Sequence, residues 1–424
     1  MKNYLKVSIT CVAVFLAILI GFSSPAISAP KGKPIIIGVP VGSDFHGKDT
    51  TDSIRLAVKE INKAGGIKVG GVMRPLKYVV EDTRDMEPGV PITDSLLAIE
   101  RLLTQRKADF LVGGPVRSEA SFAARPLVAG YKKIWIITVG TYSPGFCDPS
   151  KFPYTFRIVG NAIFQIPYVW AKLPIIAGEK FGFKKVFYMG EDNKISRISG
   201  DLIGKVVTKA GMEMVGQTFY PTGGTDFSVG LLEAKEKGAQ IISLIITMPE
   251  TNILVKQWHD MKIPAMLIGY VGPAFHLDFW KATEGKCEYV VSDIVNAGNV
   301  PSEATPMTMK FVNAFKKEYG HEPDGYGHSS SYQGIYLLKD AIERAGTLDS
   351  DAVAKALEKT DMIGVYGRMR FDKNHEIIFD PNYDPKEGAI TSSFQWQKGK
   401  RVTVFPETIK KGEILLPPWM KSNR

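Results

Sequence analysis

The sequence predicts an α/β protein built from two parallel-sheet units, because short apolar strands alternate with amphipathic helices along most of its 424 residues. A regular βαβα order is typical of parallel sheets that are covered by helices on both faces. The alternation stops near Pro153 and then starts again, which indicates a second unit of similar size. The length is also typical of two domains.

The first unit begins with the apolar run 34–41, which has the length and composition of a strand buried on both faces. The helix that follows, at 52–63, carries apolar residues on one face and ends at the pair Gly65 and Gly66. The same patterns predict further strands at 76–81, 110–112 and 134–138, and helices at 92–106 and 119–129.

The second unit repeats this order of elements. Its predicted strands are 185–189, 213–220, 241–247 and 266–269, and its predicted helices are 200–210, 227–237 and 252–261. A third section has a strand pattern at 289–295 and helix patterns at 305–319, 331–345 and 349–360. From Gly367 onward, strand patterns and proline-containing turns dominate.

The N-terminal segment has the pattern of a secretory signal peptide. Two lysines precede an apolar run at 7–22, and small residues follow as far as Ala29. The run is short for a membrane-spanning helix. We therefore expect cleavage after Ser28 and a periplasmic location for the mature protein, with an uncleaved anchor helix as the alternative.

Charge and motifs argue against several functions. The formal net charge is +9, and the charged residues are scattered along the chain. The sequence has no basic tract with interleaved aromatic residues, which argues against nucleic-acid binding. The turn after the first strand is not a G-x-G-x-x-G motif, no P-loop occurs, and the six histidines never stand at the spacing of a metal site. Residues 327–334 match a nucleophile elbow only loosely. We expect no catalysis, no cofactor and no metal.

A series of short motifs occurs in a defined order along the chain: LAVKEINKAGGI at 56–67, Gly114-Pro115 with Ser118, Phe156-Arg157, Thr225-Asp226-Phe227 and Phe371-Asp372. In this order they resemble the type I periplasmic solute-binding proteins of ABC importers, in the leucine/isoleucine/valine-binding branch. The resemblance implies two doubly wound lobes joined by a hinge of crossing strands, with the ligand between them. The lobe boundaries it implies are 29–148 with 288–366, and 149–287 with 367–424.

Ligand contacts are expected in the turns that follow strands, both from the resemblance and because parallel sheets bind ligands at the carboxyl ends of their strands. Ser118 is expected to cap the helix at 119–129, where free N–H groups and the helix dipole suit a carboxylate. Capping alone is the alternative role. The other expected contacts are Phe45, His46, Gly140, Thr141 and Tyr142 in the first lobe, and Ile195 or Ser196, Thr247, Met248 and Tyr270 in the second.

One departure from the family pattern bears on the ligand. Amino-acid-binding members place an acidic residue where this chain has Val271, and that acid meets the ligand's ammonium group. A buried ammonium without a carboxylate partner is costly. The sequence therefore favours a small carboxylate or amide with a large apolar part. An aliphatic amino acid is the alternative, if Glu191, Asp192 or Glu250 replaces the missing acid.

The resemblance implies a monomeric receptor that binds a small organic molecule and delivers it to an ABC permease in the inner membrane. Lobe closure would carry the signal, with no chemistry. A periplasmic sensory protein of a signalling system is the alternative, and a Rossmann-like enzyme is a weaker one.

Two cysteines follow the signal segment, Cys147 and Cys287. Two cysteines in an exported protein suggest a disulfide, and two separate thiols are the alternative. In the family fold each would lie just before a lobe crossing, so we expect them to be bonded to each other.

Overall fold

The computed structural model describes residues 32–423, so the expected signal peptide at 1–28 lies outside the described residues. The first sheet contains five parallel strands in the order β4-β1-β5-β6-β7. Its strands, with a small β2-β3 hairpin beside them, are β1 Ile35–Val41, β2 Ile67–Val69, β3 Val72–Arg74, β4 Leu76–Asp82, β5 Phe110–Gly113, β6 Trp135–Ile137 and β7 Thr155–Arg157.

The second sheet has seven strands in the order β16-β15-β12-β11-β10-β8-β9. The run from β9 to β12 is parallel, and β15 and β16 add an antiparallel edge. Its strands, with the separate β13-β14 hairpin, are β8 Lys185–Glu191, β9 Glu213–Tyr220, β10 Ile241–Ile246, β11 Met266–Val271, β12 Val291–Asp293, β13 Met362–Gly364, β14 Gly367–Met369, β15 Ser393–Gln397 and β16 Lys400–Phe405.

Helices occupy the connections between strands, which confirms the predicted doubly wound α/β class. The first-unit helices are α1 Phe45–Lys63, α2 Ile92–Thr104 and α3 Ser118–Gly130. The later helices are α4 Ala162–Gln165, α5 Lys172–Phe181, α6 Lys194–Lys209, α7 Ser228–Glu236, α8 Thr251–Asp260, α9 Phe279–Ala282, α10 Pro306–Tyr319, α11 His328–Ala345 and α12 Ser350–Glu358. A π-helical turn spans Ile166–Trp170, and a 3₁₀ turn spans Gly272–Phe275. No helix among residues 32–423 is long and apolar enough to cross a membrane.

Strands β7 and β12 each lie in a different sheet from the one that the expected lobe boundaries predict. β7 pairs with β6 in the first sheet, although a boundary after 148 would place it in the second lobe. β12 pairs with β11 in the second sheet, although a boundary before 288 would place it in the first. Both strands are short and fully buried, so their sequences do not show which sheet they join. The chain therefore crosses after Arg157 and after Asp293, later than expected.

In the described part of the chain, three connections run between the sheets: the first follows β7, the second follows β12, and the third joins β14 to β15. Buried polar contacts link these connections. Arg157, at the first crossing, is 0% exposed and pairs with Glu376 in the third connection, with Nη2 to Oε1 at 2.5 Å and Nε to Oε2 at 2.7 Å. At the second crossing, Asp293 Oδ1 accepts a hydrogen bond from Thr391 Oγ1 at 2.9 Å. Burial raises the pKa of Asp293 to about 6. The third connection is thus linked to both of the others.

The expected disulfide between Cys147 and Cys287 is wrong, because both are free, buried thiols. Cys147 packs in a cluster around Trp135 and Phe146 at the first sheet, whereas Cys287 belongs to the larger core. Each thiol occupies its own apolar environment, and burial raises the pKa of both, to about 12 for Cys287.

We predict that unfolded, unreduced mature protein exposes two titratable thiols. In the native state both should react slowly with a thiol reagent at pH 8, because burial protects them and the thiolate is the reactive form. Titration with and without denaturant measures this. Absence of thiols in the denatured, unreduced protein would restore the disulfide.

We predict that Glu376→Gln lowers the free energy of unfolding by about 3–5 kcal/mol, because it leaves the buried Arg157 guanidinium without its counter-charge. The matched control is Glu358→Gln. Glu358 also bonds a side chain at this crossing, His375 Nε2 at 3.1 Å, but it is 49% exposed. That control should cost less than about 1 kcal/mol. Equal losses in urea unfolding would contradict the assignment.

Candidate ligand-binding site

A cavity of about 650 Å³ lies where the carboxyl ends of strands from both sheets meet. Loops after β1, β4, β5 and β6 form one side, and loops after β8, β9, β10 and β11 form the other. Parallel strands place their carboxyl ends at one edge of a sheet, which is the usual place for a ligand in open α/β folds. The arrangement gives two facing walls that come from distant parts of the chain.

Ser118 lines this cavity, but not as the helix cap that was expected. Arg117 takes the extended N-cap position with φ −70° and ψ 128°, and Ser118 is the first helical residue. The cap makes no side-chain hydrogen bond, so within residues 32–423 the first N–H groups of α3 have no side-chain acceptor. Ser118 Oγ accepts a hydrogen bond from Ser143 N at 3.2 Å, which leaves the hydroxyl hydrogen available for an anion.

The loop after β6 presses closely against the loop after β5. Gly140 has φ +65°, and a Cβ there would lie 2.2 Å from Val116 O, so no larger residue fits without moving the backbone. Thr141 follows with its hydroxyl 2.7 Å from Ser121 Oγ and 3.1 Å from Pro115 O. The hydroxyl thus joins the two loops, and Thr141 is fully buried outside the cavity lining.

Aromatic side chains form much of the cavity wall. Tyr142, Tyr270 and Tyr326 lie with ring centroids 6.3 Å apart in each pair, and Phe45 also lines the cavity. Burial raises the pKa of all three tyrosines, so their hydroxyls are neutral hydrogen-bonding groups. The hydroxyl of Tyr142 is buried without a well-aligned partner among residues 32–423. The wall thus offers apolar ring faces and a buried hydroxyl that a ligand can approach.

The second wall carries a buried carboxylate. Glu191, at the end of β8, is 4% exposed, and its Oε2 accepts a hydrogen bond from Thr247 N at 2.8 Å and another from the Thr247 hydroxyl. It forms no ion pair with a described residue. Asp192 also lines the cavity but pairs with Arg197 at 2.6 Å, and Glu250 is outside the lining. Of the three acids considered from the sequence, Glu191 is the one held at the cavity without a cation.

Cationic side chains lie at the rim of the same cavity. Arg84 is paired with Glu87 and Asp94. Arg117 and Lys194 also line the cavity, and neither forms a salt bridge within the described part of the chain. Arg117 and the first N–H groups of α3 lie at one end of the cavity, and Glu119 in the first turn of this helix lines the same end.

The structure brings most of the predicted site residues together around the cavity: Phe45, His46, Ser118, Gly140, Tyr142, Ile195, Thr247, Met248 and Tyr270. Thr141 and Ser196 are instead buried in support of the walls, Ser196 with its Oγ 2.9 Å from Tyr188 Oη. Sequence reasoning missed Tyr326 and Arg117. Tyr326 stands between two glycines just before a helix, and that aromatic in a glycine turn was the available signal.

Comparison with known proteins identifies the family of the chain. A family model described as periplasmic binding protein matches residues 40–380. Leu/Ile/Val-binding protein homolog 7 of Brucella melitensis biotype 1 is 28% identical over 223 residues, which cover 49% of this chain and 52% of that protein. The chain therefore spans about half the length of the curated relatives it matches.

Two solved structures share the fold. The branched-chain amino acid transporter substrate-binding protein of Streptococcus pneumoniae, in complex with isoleucine, is 22% identical with a TM-score of 0.70, over 89% of this chain and 100% of that one. An ABC transporter solute-binding protein of Rhodopseudomonas palustris HaA2, in complex with p-hydroxybenzoic acid, is 20% identical with a TM-score of 0.71, over 88% and 96%. Because the family match extends over most of the chain and the topology of both sheets agrees with it, the chain belongs to the periplasmic binding protein family.

Proposed function

We propose that the protein is an extracytoplasmic solute receptor that binds a small organic carboxylate with an apolar body and passes it to an ABC permease. The observation that carries this proposal is the polarity of the cavity. An anion-binding end at Ser118 faces a wall with the buried carboxylate of Glu191, and aromatic rings line the space around them. A ligand that matches has a carboxylate at one end and a hydrogen-bond donor elsewhere.

The carboxylate end of the ligand is assigned to the start of α3. There the Ser118 hydroxyl hydrogen, the first N–H groups of the helix and the Arg117 guanidinium are available together. Hydrogen bonds between such donors and a carboxylate are charge-assisted and stronger than neutral ones. Helix N-termini also attract anions through their partial positive charge.

Glu191 favours a ligand with an ammonium or hydroxyl group over an acid or amide that lacks such a donor. The acid missing at Val271 is available from β8 instead, and its free lone pairs suit an ammonium or a hydroxyl group. Isoleucine and p-hydroxybenzoic acid, found in the two similar structures, each combine a carboxylate with such a donor. We therefore propose an apolar amino acid or a hydroxylated aromatic acid as the ligand.

The mechanism we propose is binding and closure of a monomer in the periplasm, without covalent chemistry. Contacts from both walls are made together only when the walls approach, so the ligand favours the closed state by its differential affinity. A sensory role would use the same binding step with a different partner. Recovery of the ligand unchanged after incubation tests the absence of chemistry.

The first test is a thermal-shift panel of leucine, isoleucine, phenylalanine, 4-hydroxybenzoate and the deaminated acids, followed by calorimetry of the best ligand. We predict that Ser118→Ala weakens its binding by about 1.5–3 kcal/mol, about 10- to 150-fold, because a hydrogen bond to a charged group is lost. Ser150→Ala is the control, since the exposed Ser150 bonds only Asp148. No response to any small carboxylate would contradict the proposed ligand class, and equal affinities of the two variants would contradict the role of Ser118.

We predict that Glu191→Gln weakens the binding of amino acids by about 10- to 100-fold, because the counter-charge for their ammonium group is removed. Acids of the same shape without an ammonium should change by less than about threefold. Glu236→Gln is the matched control, because Glu236 is exposed on α7 and lies outside the cavity lining. Uniform weakening of every ligand in calorimetry would show that Glu191 shapes the wall and recognises no ammonium.

A further inference from the structure

Three side chains that commonly bind metals converge beside the ligand cavity, outside the residues that line it. Asp49, His276 and Asp324 each present one ligand atom, and these atoms lie within 4.8 Å of one another. Asp49 is on α1, Asp324 is in the loop before α11, and His276 follows the 3₁₀ turn after β11. Large separations along the chain explain why histidine spacing did not indicate this cluster.

The cluster contains buried polar atoms that lack partners. Asp49 is 3% exposed, and its Oδ2 has no hydrogen-bond partner among residues 32–423. His276 Nε2 is also buried and has no hydrogen-bond partner among residues 32–423. A Cβ at Gly325 would lie 1.5 Å from Asp49 Oδ2, so this oxygen faces the segment that carries Asp324. A buried carboxylate oxygen without a donor is costly unless another group binds it or the carboxyl group is protonated.

A second histidine supports the same interpretation. His328 Nε2 lies 3.4 Å from Asp49 Oδ1 and 3.6 Å from Asp324 Oδ1, so it faces both carboxylates of the cluster. Its Nδ1 lies 2.9 Å from Ser53 Oγ. Metal-binding histidines usually hydrogen-bond through the ring nitrogen that is not on the metal, and Nδ1 of His328 makes such a contact.

We propose that Asp49, His276 and Asp324, with His328 beside them, form a binding site for a divalent transition-metal ion. Imidazole nitrogens combined with carboxylate oxygens match the ligands that Zn²⁺ takes in proteins, usually four in a tetrahedral arrangement. Ligand atoms around a tetrahedral Zn²⁺ lie about 3.3 Å apart, so a bound ion would have to draw these side chains closer together than the 4.8 Å limit. This proposal replaces the expectation of no metal that sequence spacing gave.

The site would connect the two sides of the ligand cavity. His276 follows a strand of the second sheet, whereas α1 follows a strand of the first. The His276 ring packs against Phe45 with centroids 4.9 Å apart, and Phe45 lines the cavity, as does Tyr326 two residues after Asp324. The coupling rests on the proposed receptor function: a metal that holds these groups in the closed arrangement strengthens ligand binding, and the ligand strengthens metal binding equally.

Calorimetry and native mass spectrometry with Zn²⁺ test the site in tag-free mature protein that has been treated with chelator. We expect one bound Zn²⁺, and at least tenfold weaker binding in Asp49→Asn and in His276→Gln. The control is His259→Gln, because His259 lies in α8 beside Asp260, outside the cluster. Its affinity for Zn²⁺ should equal that of the wild type.

Circular dichroism shows whether each variant is folded, and Asp324→Asn serves as a further variant if one of the others is not. Failure of folded wild-type protein to bind Zn²⁺, or equal binding in all folded variants, would overturn the proposed site. These measurements contain no organic ligand, so they separate the metal site from the receptor function. Unchanged ligand affinity on adding Zn²⁺ would overturn the coupling alone.

Discussion

The buried ion pair between Arg157 and Glu376 is the interaction on which the site geometry depends. Arg157 ends the last strand of the first sheet, and Glu376 belongs to the third connection between the sheets. Arg157 Nη1 also donates hydrogen bonds to the carbonyl oxygens of Thr141 and Ser143, the latter at 3.0 Å. One fully buried guanidinium therefore fixes the connection between the sheets and the loop that carries Gly140 and Tyr142. A rigid frame of this kind lets polar groups in a cavity keep their directions without a ligand.

Helix N-termini and a buried carboxylate, both at the ends of strands, give the cavity its polarity. The loop after β5 starts a helix whose first N–H groups have no side-chain acceptor, so positive potential is present before any cationic side chain is counted. The loop after β8 starts α6, but there Asn193 caps the helix by accepting a hydrogen bond from Ser196 N. The same topological position is thus open to an anion in one sheet and closed in the other. Glu191 and the cation Lys194 both lie on this second wall, and neither forms an ion pair within residues 32–423.

The sequence predicted the alternating elements well because buried parallel strands are short apolar runs with clear helices between them. It failed where local pattern carries little information. The strand β7 is only Thr155–Arg157, and the segment from α4 through α5 contains a π-helical turn. Helices α1 and α6 begin earlier than their apolar periodicity indicates, because Asp44 and Asn193 cap them at the cavity edge.

The sequence predicted a site residue where it predicted the end of the preceding strand. Turns after strands identified most of the lining, but sequence could not distinguish a side chain that faces the cavity from one that faces the loop beneath it. Thr141 and Ser196 are adjacent to lining residues and support them from behind. Tyr326 and the cluster around Asp49 depend on contacts between distant segments, so no local pattern specifies them.

Unsatisfied polar atoms in and beside the cavity connect stability with binding. Asp49 Oδ2 is buried without a partner in the described part of the chain, and the Tyr142 hydroxyl lacks a well-aligned one. Each such group costs about 1–3 kcal/mol while it remains unpaired. A ligand or ion that supplied the missing partner would recover that cost only in the folded state, because the unfolded chain hydrates the same groups. Such binding would stabilise the fold by an amount that grows with ligand concentration relative to its dissociation constant.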